Sequence, residues 1–173
     1  MLSFPVAPTL TKGTRMYITY NDFVAVMGAD LSTADFNRYE FEAEMILDRF
    51  TTGIDNVKKL RVAFPTDEID AEAVRRCVIA LTDAVCRFDR ADKAAVSLTG
   101  TSTGGVVSSV SSGSESISYA TGTASSAMAA GVQSLEGRNT FYQDIIKTYL
   151  SGREDANGVN LMFMGRYPIC IST

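Results

Sequence analysis

The stretch TDEIDAEAVRRCVIALTDAVCRFDR, residues 66–90, decides the fold. Its apolar residues recur every three or four positions, which is the spacing of one face of an α-helix. Pro65 and Thr66 stand where a helix begins, and acidic residues crowd the first turns while basic residues gather at the end. The stretch therefore predicts one long amphipathic helix at the centre of the core. The residues of its predicted core face are Ile69, Ala73, Cys77, Leu81, Ala84 and Phe88.

Shorter helices are predicted on both sides of this stretch. Thr19 with Asp22, and Ser32 with Asp35, have the spacing of the side-chain cap that begins a helix. The helical period returns at residues 138–150, after a long segment without it. Together with the long helix, these segments predict a mainly α fold, a small bundle of about four helices.

The second of these helices is strongly acidic. Glu40, Glu42, Glu44 and Asp48 stand between its apolar residues. Charged side chains on an amphipathic helix ordinarily face water. We therefore expect a solvated face here, with a docking surface as the alternative.

A long segment that is almost free of charge follows the central helix. Between Lys93 and Glu136 the only charged residue is Glu115, and Ser, Thr, Gly and Ala dominate. Alternating apolar and polar residues within it predict a β-hairpin. Because two strands alone are marginally stable in water, the hairpin is expected to pair with another strand or with a neighbouring subunit. The candidate inter-subunit residues of the hairpin are Val106, Val110, Ile117 and Tyr119.

The two ends of the chain are predicted to be extended. Residues 1–15 contain Pro5 and Pro8 and no periodicity, which fits either an arm packed on a neighbouring subunit or a disordered leader. The C-terminal end is too apolar for a free tail. If this end docks on a partner, a chain that is truncated before Val159 should still fold. If the truncated chain fails to fold, the C-terminal end belongs to the hydrophobic core of the same chain. The candidate docking residues are Leu161, Met162, Phe163, Met164, Tyr167 and Ile169.

One tight basic cluster occurs in the connection before the central helix. It consists of Lys58, Lys59 and Arg61. Lysine and arginine side chains neutralise phosphates, so these three are the candidate DNA-facing residues. An ordinary exposed loop is nevertheless the favoured interpretation of this cluster, and phosphate contact is the alternative.

Composition excludes several classes of chemistry. The chain has no histidine, so Ser–His and Cys–His catalytic pairs are impossible. Its cysteines, Cys77, Cys86 and Cys170, form no CxxC pair, and an odd count without framework spacing suggests reduced thiols in a cytosol. The chain has a net charge of −4 and therefore lacks the excess of basic residues that is typical of a nucleic-acid-binding domain. No apolar run approaches the ~20 residues that cross a bilayer, and the N-terminus is a poor signal peptide. We expect no catalytic residue, no cofactor and no metal site.

The 173 residues suffice for one domain that buries roughly 70% of its unfolded surface. We divide the chain into an N-terminal arm, residues 1–15, and a single domain, residues 16–173. The domain includes the Ser/Gly/Thr/Ala-rich loop and hairpin at residues 97–134 and the extended C-terminal segment.

The order of these elements resembles the head–tail connector (adaptor) proteins of long-tailed bacteriophages. The resemblance spans about residues 16–167 and is strongest at 17–50 and 138–150, whereas the arm and the loop at 97–134 depart from the family pattern. The stretches that carry it are YITY at 17–20, LSTADFN at 31–37, AVRRC at 73–77, GSESISY at 113–119, IIKTYL at 145–150 and the apolar close at 161–167.

The resemblance implies a structural virion protein without catalysis. Such adaptors form a homo-oligomeric ring, usually of twelve subunits, beneath the portal protein. The ring offers a docking surface to the tail completion (terminator) protein, and double-stranded DNA passes through it non-specifically. The C-terminal segment commonly reaches the portal. The implied location is the virion neck, after synthesis in the host cytoplasm. The alternative is a small nucleic-acid-binding or virion accessory protein that uses the basic loop Lys58–Arg61.

Overall fold

The computed structural model describes residues 17–99, 109–112, 115–118 and 134–168. The protein is mainly helical. Its helices and strands are α1 (Tyr20–Met27), α2 (Thr33–Thr51), α3 (Lys59–Val62), α4 (Glu68–Thr99), β1 (Ser109–Ser112), β2 (Glu115–Ser118) and α5 (Leu135–Leu150). No helix within these ranges is long and apolar enough to cross a bilayer.

The long helix α4 lies at the centre and packs against both α2 and α5. Val74, Cys77 and Leu81 are completely buried along it. It runs to Thr99, nine residues beyond the predicted end, because no glycine or proline interrupts it before that point. The prediction that Ile69 faces the core was wrong: this side chain is 66% exposed at the mouth of an open groove between the first turns of α4 and the end of α5.

Side-chain hydroxyls begin three of the helices. Thr19, Ser32 and Ser134 each accept a hydrogen bond from a backbone amide of the first turn. The predicted capping box is confirmed, since the amide of Thr19 also donates to the carboxylate of Asp22 at 2.8 Å. The Ser134 cap starts α5 at Leu135, a few residues earlier than the apolar period predicts.

The two short strands form an antiparallel pair in which Val110 stands opposite Ile117. Among the described residues, this strand pair contacts none of the helices. A hairpin that belongs to the packed fold, or that joins two subunits, therefore stays a prediction. Val106 and Tyr119, like the arm at residues 1–15, lie outside the described residues.

The predicted acidic face of α2 is largely buried, and the expectation of a solvated face was wrong for three of its four residues. Glu40, Glu44 and Asp48, here called the acidic stripe, are each at most 3% exposed. They stand four residues apart, which places them on one line along the helix. The chain before α1 covers this line: Tyr17 donates its amide to Glu44 at 2.7 Å and its hydroxyl to Asp48 at 3.1 Å.

Burial makes Glu40 sensitive to pH. Burial, followed by the hydrogen bond and charge of the neighbouring Glu44 carboxylate, raises the pKa of Glu40 to about 8. One oxygen of Glu40 finds no hydrogen-bond partner in the structure described. The native state thus holds a proton at Glu40 that the unfolded chain, with an ordinary pKa near 4.5, releases.

We expect the free energy of unfolding to fall as pH rises from about 5 to about 8, because the native state binds more protons than the unfolded state in this window. The slope contributed by one such proton approaches about 1.4 kcal/mol per pH unit. Glu40→Gln should flatten the slope, and Glu42→Gln, at an exposed position of the same helix, should leave it unchanged. Urea titrations at several pH values measure both slopes; equal slopes in the wild type and Glu40→Gln would contradict the assignment.

Candidate functional site

Lys59 is the residue around which the candidate site is built. It lies at the start of α3, is completely buried, and directs its ammonium group toward the C-terminal segment, residues 159–168. Nζ donates to the carbonyl oxygens of Asn160 at 3.4 Å, of Leu161 at 3.2 Å, and of Phe163. Burial lowers the pKa of the ammonium group, while the charges of Asp155 and Asp55 oppose that shift. We call this arrangement the Lys59 anchor.

The basic cluster does not form the predicted DNA-facing surface. Lys59 is buried, and Arg61 forms ion pairs with Asp48 and, at 3.5 Å, with Glu44. Lys58 is the exposed member, with its ammonium group 3.7 Å from Asp48. The prediction of a shared phosphate-binding role was wrong for Lys59 and does not suit Arg61, because their charges are used inside the subunit. The expectation of an ordinary exposed loop fits Lys58, which is exposed, but was wrong for Lys59, which is completely buried.

Further hydrogen bonds hold the C-terminal segment against the loop between α2 and α3 and against the turn that follows α5. The amide of Tyr167 donates to Asp55 at 2.6 Å, and this hydrogen bond is the main cause that lowers the pKa of Asp55. The amide of Ile54 donates to the carbonyl of Met164 at 3.1 Å. The Tyr167 hydroxyl donates to the buried carboxylate of Asp155. The segment is therefore held at several points over its whole length.

Two glycines allow the loop and the segment to cross closely. A Cβ atom on Gly53 would lie 2.3 Å from the carbonyl oxygen of Gly165. A Cβ atom on Gly165 would lie 2.2 Å from the Phe163 ring. The first contact is with backbone, which is fixed, whereas the second is with the outer end of a side chain, which has room to turn.

We expect Gly53→Ala to destabilise the protein by about 2 kcal/mol, because the backbone at Gly165 must move. Gly165→Ala should cost less than about 1 kcal/mol, because only the Phe163 ring is displaced. Urea denaturation of the two variants gives the comparison directly. A smaller loss for Gly53→Ala than for Gly165→Ala would contradict the crossing described above.

The anchored segment presents large apolar side chains to solvent. Phe163 is 47% exposed and Met164 51%, and Ile54, which is joined to Met164 by its backbone, is 75% exposed. We call these three residues the apolar tip. The ring of Phe163 lies over Gly165, and its centroid is 5.7 Å from Nζ of Lys59. The tip is thus an exposed apolar surface on a fixed backbone.

The structure divides the predicted docking residues into two groups. Leu161 is completely buried and Tyr167 is 6% exposed, so their assignment as partner-docking side chains was wrong. Met162 is partly buried against the core, whereas Phe163 and Met164 remain available to a partner. Ile169 lies outside the described residues. Ile54 was not predicted as a docking residue. The one sequence feature that could have indicated it is its position, as a single large apolar residue directly after Thr52-Gly53.

The cysteines and carboxylates of the described residues are the other possible sites. Within the described ranges, no cluster of carboxylates and cysteines could hold a metal ion. Cys77 and Cys86 are buried, and burial raises the pKa of Cys77 to about 12. Such thiols stay protonated and unreactive at neutral pH.

Comparison with protein-family models, with curated proteins and with solved structures finds no match. The function is therefore argued from the apolar tip and the way in which the fold holds it.

Proposed function

We propose that this chain is a structural subunit of a bacteriophage virion, a head–tail adaptor that forms a ring between portal and tail. The observation that supports this proposal most directly is the apolar tip. Apolar side chains in clusters at the surface of a subunit are typical of protein–protein contacts. A tip held by the Lys59 anchor binds a partner with little loss of conformational entropy, because its backbone is already ordered.

In this proposal the apolar tip faces the portal protein, and neighbouring copies of the chain and the tail completion protein take other surfaces. Double-stranded DNA passes through the ring without sequence-specific contacts, and the chain acts without catalysis or cofactor. A role in direct DNA binding receives less support, because Lys59 and Arg61 are used within the subunit. The mainly helical fold agrees with the bundle that the adaptor resemblance implies.

The proposal is tested by mixing the purified chain with portal rings, and with DNA-filled heads, of the virus that encodes it. Light scattering and sedimentation should show a complex with the wild type. The double variant Phe163→Ser, Met164→Ser should bind at least about tenfold less, since it removes most of the exposed apolar surface of the tip.

The matched control is Val26→Ser with Met27→Ser, an exposed apolar pair at the end of α1. It should assemble like the wild type. A chain that remains a monomer and joins neither portal nor heads would overturn the adaptor proposal. An equal defect in the control pair would overturn the role of the apolar tip.

A further inference from the structure

Two small pockets flank the apolar tip. One, of 220 Å³, lies between α2, α5 and the C-terminal segment, with Phe50, Met162 and Met164 in its lining. The other, of 310 Å³, lies beside Gly53 and Met45. The two pockets are neighbours, because Ile54 follows Gly53 and its amide is bound to Met164. Their size suits single side chains of a protein partner better than a cofactor-sized ligand. The smaller pocket is lined mainly by apolar side chains and the larger one mainly by polar side chains.

The exposed charged side chains that line these pockets are cationic. The exposed charged residue that lines the smaller pocket is Lys147, and those that line the larger one are Arg49 and Lys58. The one described acid in either lining, Asp48, is buried and held by Arg61. The cationic rim contrasts with the net charge of −4 of the chain.

Further cationic groups stand close to the same surface. Arg166 is exposed and directly follows Gly165, the residue under the Phe163 ring. The guanidinium of Arg49, which lines the larger pocket, lies over the Phe50 ring of the smaller pocket, 4.7 Å from its centroid. An apolar partner side chain that enters the smaller pocket therefore has cationic groups beside it.

We infer that the apolar tip and its two pockets bind an acidic protein segment that carries one or two large apolar anchor residues. An apolar anchor fills the smaller pocket, a second one can pack on the apolar tip, and flanking Asp or Glu residues pair with Lys147, Arg49, Lys58 and Arg166. Charge complementarity of this kind selects the partner and speeds association. The inference rests on the proposed docking role of the tip and names the chemistry of the partner. Duplex DNA fits less well, since it offers phosphates but no apolar anchor.

The test uses the full chain with ¹³C-methyl methionine and three short synthetic peptides. The first carries a Leu-Phe pair between glutamates, the second carries the same pair between lysines, and the third carries Ser-Gly between glutamates. We expect the first peptide to shift the methyl signals of Met162 and Met164 and to leave that of Met27, on α1, unchanged. The second and third peptides should bind at least about tenfold more weakly, since each lacks one of the two interactions.

Charge reversal provides the matched variant. Lys147→Glu with Arg166→Glu changes exposed side chains, so the fold should persist. Two of the four cations then become anions, so the preference for the glutamate peptide over the lysine peptide should be lost. Binding of the glutamate peptide should also weaken several-fold between about 50 and about 300 mM NaCl. Equal binding of both charged peptides by the wild type, or stronger shifts of Met162 and Met164 with duplex DNA or phosphatidylglycerol vesicles, would overturn the inference.

The peptide experiment and the head-binding experiment can contradict the two proposals separately. If the peptides do not bind and the double variant of the tip still loses head binding, the acidic-partner inference is wrong and the adaptor proposal stands. If the glutamate peptide binds as expected and the chain ignores portal and heads, the binding chemistry is supported and the adaptor proposal is wrong.

Discussion

Deletion of residues 159–173 is expected to unfold the subunit. Leu161 is completely buried and Tyr167 nearly so, and both leave with the deleted part. Loss of one buried leucine costs about 2–5 kcal/mol, and the Lys59 ammonium group is left buried without its carbonyl acceptors. The sum exceeds about 5 kcal/mol, which is comparable with the entire stability of many domains. Circular dichroism and urea denaturation of the shortened chain measure the loss.

The double variant Phe163→Ser, Met164→Ser is the control for this deletion. Its side chains are about half exposed, so it should lose less than about 1 kcal/mol. The two results together separate the core-forming part of the C-terminal segment from its exposed part. A deleted chain that keeps a cooperative unfolding transition of normal midpoint would contradict the burial of Leu161.

Lys59→Ala is expected to destabilise the protein by about 3 kcal/mol. The change leaves the carbonyl groups of Leu161 and Phe163 without this donor and opens space in the core, whereas the Asn160 carbonyl keeps the Phe163 amide as a donor at 3.0 Å. The loss should appear in urea denaturation, and amide exchange should quicken most in residues 160–164. The apolar tip should lose its fixed position in the same variant.

Lys58→Ala is the matched control, because it removes the neighbouring lysine from the surface. Its ion pair with Asp48 is long, at 3.7 Å, and its side chain is 57% exposed. Such pairs contribute little, so the expected loss is below about 1 kcal/mol. Similar losses for Lys58→Ala and Lys59→Ala would show that the Lys59 anchor contributes little to stability.

The helices could be predicted because each one carries its own signals. The hydroxyl of Ser32 with Asp35, and of Thr19 with Asp22, marks a start that depends only on residues within the same turn. The apolar period of α4 is equally local. The end of α4 was placed too early because the change in composition after Lys93 resembles a boundary, although no residue there stops a helix.

The candidate site could be predicted only in part, because its contacts join distant parts of the chain. Lys59 and Phe163 are 104 residues apart, and no local pattern distinguishes a lysine that reaches buried carbonyls from one that faces water. The same holds for Glu44, whose partner Tyr17 lies before α1. Phe163 and Met164 were identified as docking residues from apolarity alone, and that role stays a prediction.

The separation of Lys59 from its acceptors has a consequence for synthesis on the ribosome. Domains begin to fold while their N-terminal parts emerge. Here more than a hundred further residues must be synthesised after Lys59 before the carbonyl acceptors of its ammonium group exist. A nascent chain that stops early therefore contains a lysine ammonium group without the carbonyl acceptors that allow its burial. We expect cellular proteases to degrade such an incomplete chain. In this way, only completed chains would persist in the cell.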